Sequence, residues 1–200
     1  MNRRSYNAIA REWDAARSGL HSHEPAFLEH LLVNMRPPAK ILDLGCGTGR
    51  PISEFLLARG FLVTGVDQAE DLLALARQRF PTGRWLQAEM ESFEADEIYD
   101  GAVIWDSIFH IPREHHEPLL RKVVRGLRPG GRLMLTTGGS DHPAFTDTMY
   151  GHTFFYDSLT PEKILSVLQK LGARIEHAGF LNLPTTGRDK GRYGIVASVN

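Results

Sequence analysis

The 200-residue sequence has one cysteine, no long apolar run and almost no net charge. A lone cysteine, Cys46, cannot form a disulfide within the chain, so a reducing compartment, most simply the cytoplasm, is expected. No apolar stretch approaches the roughly 20 residues of a membrane-spanning helix, so no membrane partner is expected. The formal net charge of −1 argues against a general nucleic-acid binder, because such proteins neutralise many phosphates with Lys and Arg.

Metal-binding patterns are also missing, although the chain has nine histidines. It contains neither a cysteine pair nor a Glu-x-x-His pattern, so no metal is predicted. His115 and His116 lie in the polar first turn of a predicted helix and are expected to face solvent.

What the sequence does contain is a regular alternation of short apolar strands and amphipathic helices. The first 36 residues are predicted to be helical, and the Pro37-Pro38 pair ends that segment. Five strands are predicted in the segments KILDLG, FLVTGVD, GRWLQAE, YDGAVIWD and RLMLTT. After a segment rich in Gly, His and aromatic residues (138–158), a last helix and two antiparallel strands follow. The alternation predicts a doubly wound α/β fold, a mostly parallel sheet with helices on both faces.

Three glycines lie in the stretch ILDLGCGTGR, where the first strand is predicted to pass into a helix. Gly45, Gly47 and Gly49 would let an anionic group approach the backbone N–H groups closely. A dinucleotide fingerprint has glycines at relative positions 1, 3 and 6, whereas here they occupy positions 1, 3 and 5. The Gly-Lys-Ser/Thr of a phosphate-binding loop is also missing. The spacing therefore favours a smaller anion, such as a carboxylate.

Asp67 lies at the end of the second predicted strand, 22 residues after Gly45. A carboxylate at this position can accept hydrogen bonds from both hydroxyls of a ribose. An amino-acid carboxylate at the glycine loop and a ribose at Asp67 fit S-adenosylmethionine better than NAD. The sequence therefore predicts S-adenosylmethionine as the cofactor.

Several segments together resemble the motifs of the class I S-adenosylmethionine-dependent methyltransferases. The resemblance covers roughly residues 6–199, and its specific motifs are LDLGCGTGR, VTGVDQA, LQAEMESF, YDGAVIWDSIFHIP and LLRKVVRGLRPGGRLMLTT. It implies a seven-stranded sheet with one antiparallel strand. The expected divisions are an N-terminal helical cap (1–36), a cofactor-binding core (37–137), an insert lining the acceptor site (138–158) and a C-terminal helix with a strand pair (159–200).

The resemblance also implies a set of cofactor-binding residues. Asp43 and the glycine loop would line the methionine end, Asp67 the ribose, Glu89 and Met90 the adenine. Cys46 is expected to be a small loop residue and not a nucleophile. The full predicted set is Asp43, Gly45, Cys46, Gly47, Gly49, Asp67, Gln68, Glu89, Met90, Trp105 and Asp106.

The acceptor site can be predicted only coarsely. A small molecule is the expected acceptor, because only the cap and the insert remain to form a pocket. Two histidines are catalytic candidates: His110, just after the fourth strand, and His152, in the insert. Either could instead be structural, His110 packing locally and His152 lying on the surface. Tyr6 and Trp13 could close over the cofactor or could equally be core packing, and the aromatic residues of the insert are expected to form pocket wall. The candidate pocket residues are Tyr6, Trp13, Phe109, Tyr150, Phe154 and Tyr156.

Two other functions stay open at the level of the sequence. One is a non-catalytic module that binds S-adenosylmethionine, because methyl transfer has no obligatory catalytic motif. The other is an NAD-dependent oxidoreductase, which the glycine spacing disfavours. Methyl transfer from S-adenosylmethionine to an unidentified small molecule is the function that the motifs favour.

Overall fold

The computed structural model describes residues 2–21, 23–186 and 189–200. Its helices are α1 (Asn2–Ala8), α2 (Ala10–Ala16), α3 (Glu24–Leu32), α4 (Ile52–Leu57), α5 (Glu70–Arg79), α6 (His116–Arg125) and α7 (Pro161–Lys170). Its strands are β1 (Lys40–Leu44), β2 (Leu62–Asp67), β3 (Arg84–Gln87), β4 (Tyr99–Ile104), β5 (Leu127–Gly138), β6 (Phe145–Met149), β7 (His152–Tyr156), β8 (Ala173–Asn182) and β9 (Arg192–Val199). The predicted alternation of strands and helices is confirmed.

Seven of the strands form one sheet in the order β3-β2-β1-β4-β5-β9-β8. The pairs β1–β2, β1–β4, β2–β3 and β4–β5 are parallel, while β9 runs antiparallel to both of its neighbours. This confirms the expected seven-stranded, mostly parallel sheet. The strand order reverses between β1 and β4, and a crevice forms at the carboxyl ends of the strands at such a switch point.

Successive side chains of a strand point to opposite faces of the sheet, and here helices cover both faces. In β1, Ile41 packs with α3 and α4 on one face, while Leu42 and Leu44 pack with α6 and α7 on the other. Both strand faces are therefore apolar, as a doubly wound sheet requires. No helix among the described residues is long and apolar enough to span a bilayer.

The insert predicted at residues 138–158 contains a two-stranded antiparallel hairpin, β6–β7, outside the main sheet. Helix α1 packs beside β7, and the Ser5 hydroxyl donates a hydrogen bond of 2.6 Å to the Thr153 carbonyl. Tyr6 and Ile9 of the N-terminal cap pack with Leu72 of α5 and Phe154 of β7. The cap thus joins the hairpin to the core.

The prediction that His116 faces solvent is wrong. His116 is 0 % exposed, and its ring nitrogen Nε2 lies 3.3 Å from the Ile111 carbonyl oxygen. The helical repeat of α6 places it on the same face as Leu119, Leu120 and Val123, so helix phase outweighs the polar neighbours. Burial lowers the pKa of His116 to about 4. His115 is exposed, as predicted.

Candidate active site

The glycine loop after β1 folds back against β2 and β4. Gly45 has φ +80°, and its N–H donates to the Val66 carbonyl at 2.7 Å. A Cβ on Gly45 would lie 2.3 Å from Cβ of Ser107, which follows β4. A residue without a side chain is therefore required where the two loops meet.

A cleft opens at the carboxyl ends of β1, β2 and β4, beside this loop. Its empty volume is about 820 Å³, including open solvent at its mouth. We call it the cofactor cleft. Of the residues predicted from the sequence, it is lined by Tyr6, Trp13, Asp43, Gly45, Cys46, Gly47, Asp67, Gln68, Met90, Trp105, Asp106 and His110.

Two carboxylates from neighbouring strands lie in the cofactor cleft. Asp43 is buried and accepts a 2.6 Å hydrogen bond from the Ser53 hydroxyl, and burial raises its pKa to about 7. Asp67 accepts from the backbone N–H of Gly47 at 2.9 Å and of Ala69 at 2.8 Å. Burial raises the pKa of Asp67, and these backbone donors partly oppose the shift. Each Asp67 oxygen has further lone-pair capacity for a ligand hydroxyl.

Trp105 and Asp106 are held by charged residues from distant parts of the chain. The Trp105 indole N–H donates to Glu24 at 3.0 Å, and the buried Glu24 also binds Arg17 at 2.8 Å. Asp106 has φ +52° and accepts from Arg192 at 2.8 Å, with Arg17 at 3.7 Å. The Asp106 charge is thus compensated by two arginines.

Tyr6 and His110 form a buried polar pair in the cleft. The Tyr6 hydroxyl lies 2.8 Å from His110 Nε2, and His110 Nδ1 lies 2.9 Å from the Asn2 side-chain nitrogen and 3.1 Å from the Phe155 carbonyl. Burial lowers the pKa of His110 to about 4 and raises that of Tyr6 well above its usual value. Both groups are therefore neutral near pH 7.

A second cavity lies next to the cofactor cleft, with an empty volume of about 940 Å³ that includes open solvent. We call it the side cavity. It meets the cleft at the Arg192–Asp106 ion pair and at the consecutive residues Phe109 and His110. It is lined by Phe109, Gly138, His142, Phe145, Asp147, Tyr156, Asp157, Ser158, Asp189, Lys190, Gly191 and Arg192.

Comparison with known proteins gives one consistent result. A family model described as a methyltransferase domain matches residues 41–131, which include the glycine loop, Asp67 and Asp106. The ubiquinone biosynthesis O-methyltransferase of Xanthomonas axonopodis pv. citri is 27 % identical, over 92 % of this chain and 84 % of that protein. These matches support a class I S-adenosylmethionine-dependent methyltransferase family for this chain.

Two further similar proteins are also methyltransferases by name. Trans-aconitate 2-methyltransferase of Methylobacterium nodulans is 35 % identical, over 61 % of this chain and 48 % of that protein. The solved structure of Burkholderia thailandensis 1,6-didemethyltoxoflavin-N1-methyltransferase has a TM-score of 0.73 at 19 % identity, covering 99 % of this chain and 87 % of that one. At that identity the likeness establishes the fold.

Some predicted site residues of the methyltransferase lie outside both cavities. His152 is exposed on the hairpin, Tyr150 is 53 % exposed at its turn, and neither lines the cofactor cleft or the side cavity. Phe154 is fully buried and packs edge-on against Tyr6, so it supports the cleft wall from behind. Gly49 packs against the rings of Phe80 and Trp85, and Glu89 is exposed beside Met90 without lining the cleft.

Further residues that were not predicted from the sequence also line the cleft. Arg17 and Arg50 line it, and Ser107 closes it behind Gly45. Arg50 directly follows the last glycine of the loop, so its place beside the cleft could have been predicted from the sequence. Nothing in the sequence pairs Arg17 with Glu24 or Asp106, because these contacts arise only on folding. Among the described residues, no group of three His, Cys, Asp or Glu side chains could hold a metal ion.

Proposed function

We propose that this methyltransferase transfers the methyl group of S-adenosylmethionine to a small-molecule acceptor bound in the side cavity. The proposal depends on one observation, the junction between the two cavities at Asp106 and Arg192. A donor in the cleft and an acceptor in the side cavity would meet there, just beyond β4.

The cofactor cleft fits S-adenosylmethionine at each of its ends. The bare backbone at Gly45 and Gly47 would receive the amino-acid part, and Asp67 would bind the ribose hydroxyls. Gln68 and Met90 would border the adenosine. The ring of Trp13 lies close to Gly47, with Nε1 3.5 Å from a Cβ placed there, and an aromatic face near the sulfonium would add roughly 1 kcal/mol of cation–π attraction.

The methyl group of bound S-adenosylmethionine is already activated by its sulfonium, so the protein's main contribution is to position and enclose the reactants. Such alignment can supply roughly 7–11 kcal/mol of a reaction barrier. Helices α1 and α2 contribute Tyr6 and Trp13 to the cleft wall, and Arg17 follows directly after α2. The Asp14–Arg79 pair ties α2 to α5 with two hydrogen bonds of 2.7 Å. The cap therefore acts as a wall that excludes water from the reaction site.

The side cavity has an aromatic wall suited to a flat acceptor. The rings of Phe145 and Tyr156 stack at 5.2 Å with an interplanar angle of 16°, and Phe109 lies 6.3 Å from Tyr156. Relatives named for ubiquinone biosynthesis and for trans-aconitate act on small organic molecules, which supports the same class of acceptor here. A cytoplasmic location stays a prediction from the single cysteine.

The cofactor part of the proposal is tested with Asp67→Ala, and Asp71→Ala serves as a matched control in the exposed first turn of α5. Titration calorimetry measures binding of S-adenosylhomocysteine and of NAD. The Asp67 variant should bind the sulfur nucleoside at least 10-fold more weakly, because two hydrogen bonds to a charged group are lost. The control should bind normally. Wild-type affinity in the Asp67 variant, or binding of NAD alone, would contradict the proposal.

The acceptor part is tested with Phe145→Ala, compared with Phe180→Ala on the partly exposed edge strand β8. Turnover is followed by release of S-adenosylhomocysteine across a panel of small organic acceptors. The Phe145 variant should show a raised acceptor KM with unchanged affinity for S-adenosylhomocysteine, whereas Phe180→Ala should change neither. Cofactor binding without turnover of any acceptor would favour the non-catalytic binding module.

A further inference from the structure

The hydrogen positions around His110 follow from the side-chain amide of Asn2. The Phe155 N–H donates to the Asn2 oxygen at 2.8 Å, so the Asn2 nitrogen lies on the opposite side, where it donates to the Phe155 carbonyl at 2.9 Å. The same nitrogen lies 2.9 Å from His110 Nδ1 and 3.5 Å from the His110 carbonyl, so the ring nitrogen is the nearer acceptor for its second hydrogen. Two bonds to one backbone unit thus fix which way this amide points.

With an amide donor directed at it, Nδ1 of the neutral His110 acts as an acceptor, and the ring hydrogen lies on Nε2. The opposite tautomer could donate from Nδ1 to the Phe155 carbonyl at 3.1 Å, but it would set two N–H groups against each other at 2.9 Å. In the favoured tautomer, Nε2–H donates to the Tyr6 oxygen at 2.8 Å. The Tyr6 hydroxyl hydrogen is then available to a ligand in the cleft.

The acidic side chains that line the cofactor cleft are poorly placed to remove a proton from an acceptor. Asp106 is paired with two arginines, Asp43 binds Ser53, and Asp67 caps two backbone N–H groups. Glu91 follows Met90 in the cleft lining, and its carboxylate lies 4.0 Å from the His115 ring. Three of the four carboxylates that line the cofactor cleft are therefore engaged within the protein, whereas the Tyr6 hydroxyl has a hydrogen to donate.

From this arrangement we propose that the acceptor group is a carboxylate, oriented by a hydrogen bond from the Tyr6 hydroxyl, with Asn2 and His110 as positioning residues. The inference rests on the proposed function. A carboxylate lone pair forms the new O–C bond, and the electron pair of the breaking C–S bond stays on sulfur. The products are a methyl ester and S-adenosylhomocysteine, and no proton has to be removed.

Arg192 adds a cation at the junction of the two cavities. It donates from Nη1 to Asp106 and from Nε to Asn182, and its Nη2 has no hydrogen-bond partner among the described residues. The three carboxylates of the side cavity all have partners: Arg113 binds Asp157 at 2.5 and 2.8 Å, Asn182 binds Asp189 at 3.0 Å, and Asp147 accepts from the Thr148 N–H at 2.7 Å. Nη2 of Arg192 is therefore a second donor for an acceptor carboxylate.

The tautomer is tested first, on the full chain with a C-terminal tag, by long-range ¹H–¹⁵N NMR of the histidine rings. The His110 signals are assigned by their loss in His110→Gln. We expect the Nε2–H form in the wild type and the Nδ1–H form in Asn2→Asp, which cannot donate from its side chain. Asn7→Asp on the same helix is the control, because the Asn7 oxygen accepts from the Asp71 N–H and a carboxylate can do the same. An Nδ1–H ring in the wild type would overturn the proposal.

The acceptor class is tested with four matched probes: benzoate, phenol, benzyl alcohol and aniline. With S-adenosylmethionine tritiated in its methyl group, we expect label on benzoate alone, released as methanol by alkali because the product is an ester. Tyr6→Phe should raise the KM for benzoate about 10-fold, the loss typical of one hydrogen bond to a charged group, with unchanged affinity for S-adenosylhomocysteine.

Alkali-stable label on phenol or aniline would overturn the proposal. If no probe is methylated, calorimetry on the complex with S-adenosylhomocysteine decides, because equal affinities for benzoate and benzyl alcohol would also overturn it. Failure of the proposed function is distinguishable, since the protein would then not bind S-adenosylhomocysteine at all, or would bind it and methylate no acceptor of any class.

Discussion

Gly45 is the position in the cofactor loop where a side chain would be least tolerated. Its φ of +80° is a conformation that residues with a Cβ rarely adopt, and an added Cβ would lie 2.3 Å from Ser107 Cβ and 2.8 Å from its oxygen. The Ser107 hydroxyl donates to the Leu44 carbonyl at 2.8 Å. Gly45→Ala therefore forces either the loop or Ser107 to move.

The expected cost has three parts. A Cβ in the left-handed region costs roughly 1–2 kcal/mol. Overlap in a packed site adds roughly 1–3 kcal/mol. Displacing Ser107 weakens its hydrogen bond to Leu44, at about 1 kcal/mol. Gly45→Ala should thus lower the free energy of unfolding by about 3–6 kcal/mol, a large part of the stability of an ordinary domain.

Gly151 provides the matched control, because it has φ +78° but nothing within 4 Å of an added Cβ. Urea unfolding followed by circular dichroism should show a loss of only about 1–2 kcal/mol for Gly151→Ala. Adding Ser107→Gly to Gly45→Ala should remove the steric overlap and restore the free energy of unfolding that was lost to it. A double-mutant cycle should then give a coupling energy of about 1–3 kcal/mol. Equal losses at the two glycines, or no coupling to Ser107, would refute the reasoning.

Three further predictions concern other parts of the fold. Burial lowers the pKa of His116 to about 4, so between about pH 6.5 and pH 4 only the unfolded chain binds a proton there. The free energy of unfolding should therefore fall by about 2 kcal/mol from pH 7 to pH 5. Urea unfolding of His116→Leu should not show this part of the fall. Arg79→Lys removes the two parallel hydrogen bonds to Asp14, so packing of α2 against α5 should weaken by about 1 kcal/mol. Calorimetry should then show S-adenosylhomocysteine binding about 5-fold more weakly. An unchanged affinity would mean that α2 packs there without the pair. Thr160→Ala removes the side-chain cap that accepts from the Lys163 N–H, so the thermal midpoint should drop by roughly 2–4 °C, and no drop would contradict the assignment.

Local patterns were sufficient for most helices and strands, but not for elements that depend on distant partners. The alternation after Lys40 and the stripe of α6 identify elements of the main fold, because period and length are properties of neighbouring residues. The β6–β7 hairpin escaped notice since its strands pair only with each other and α1 packs beside β7. His116 was misjudged because its charged neighbours in sequence face solvent while its own side chain follows the helix phase.

The sequence by itself determined the order of strands and helices, the glycine loop and Asp67, and with them the class of cofactor. These features are local, since a strand end, a turn and a helix start lie within a few residues of one another. Only the tertiary structure decided that Arg17 and Arg192, from opposite ends of the chain, lie beside Asp106, and that Asn2, His110 and Tyr6 form one chain of polar contacts. Contacts of this kind depend on how whole elements pack, and no pattern along the chain encodes their distances.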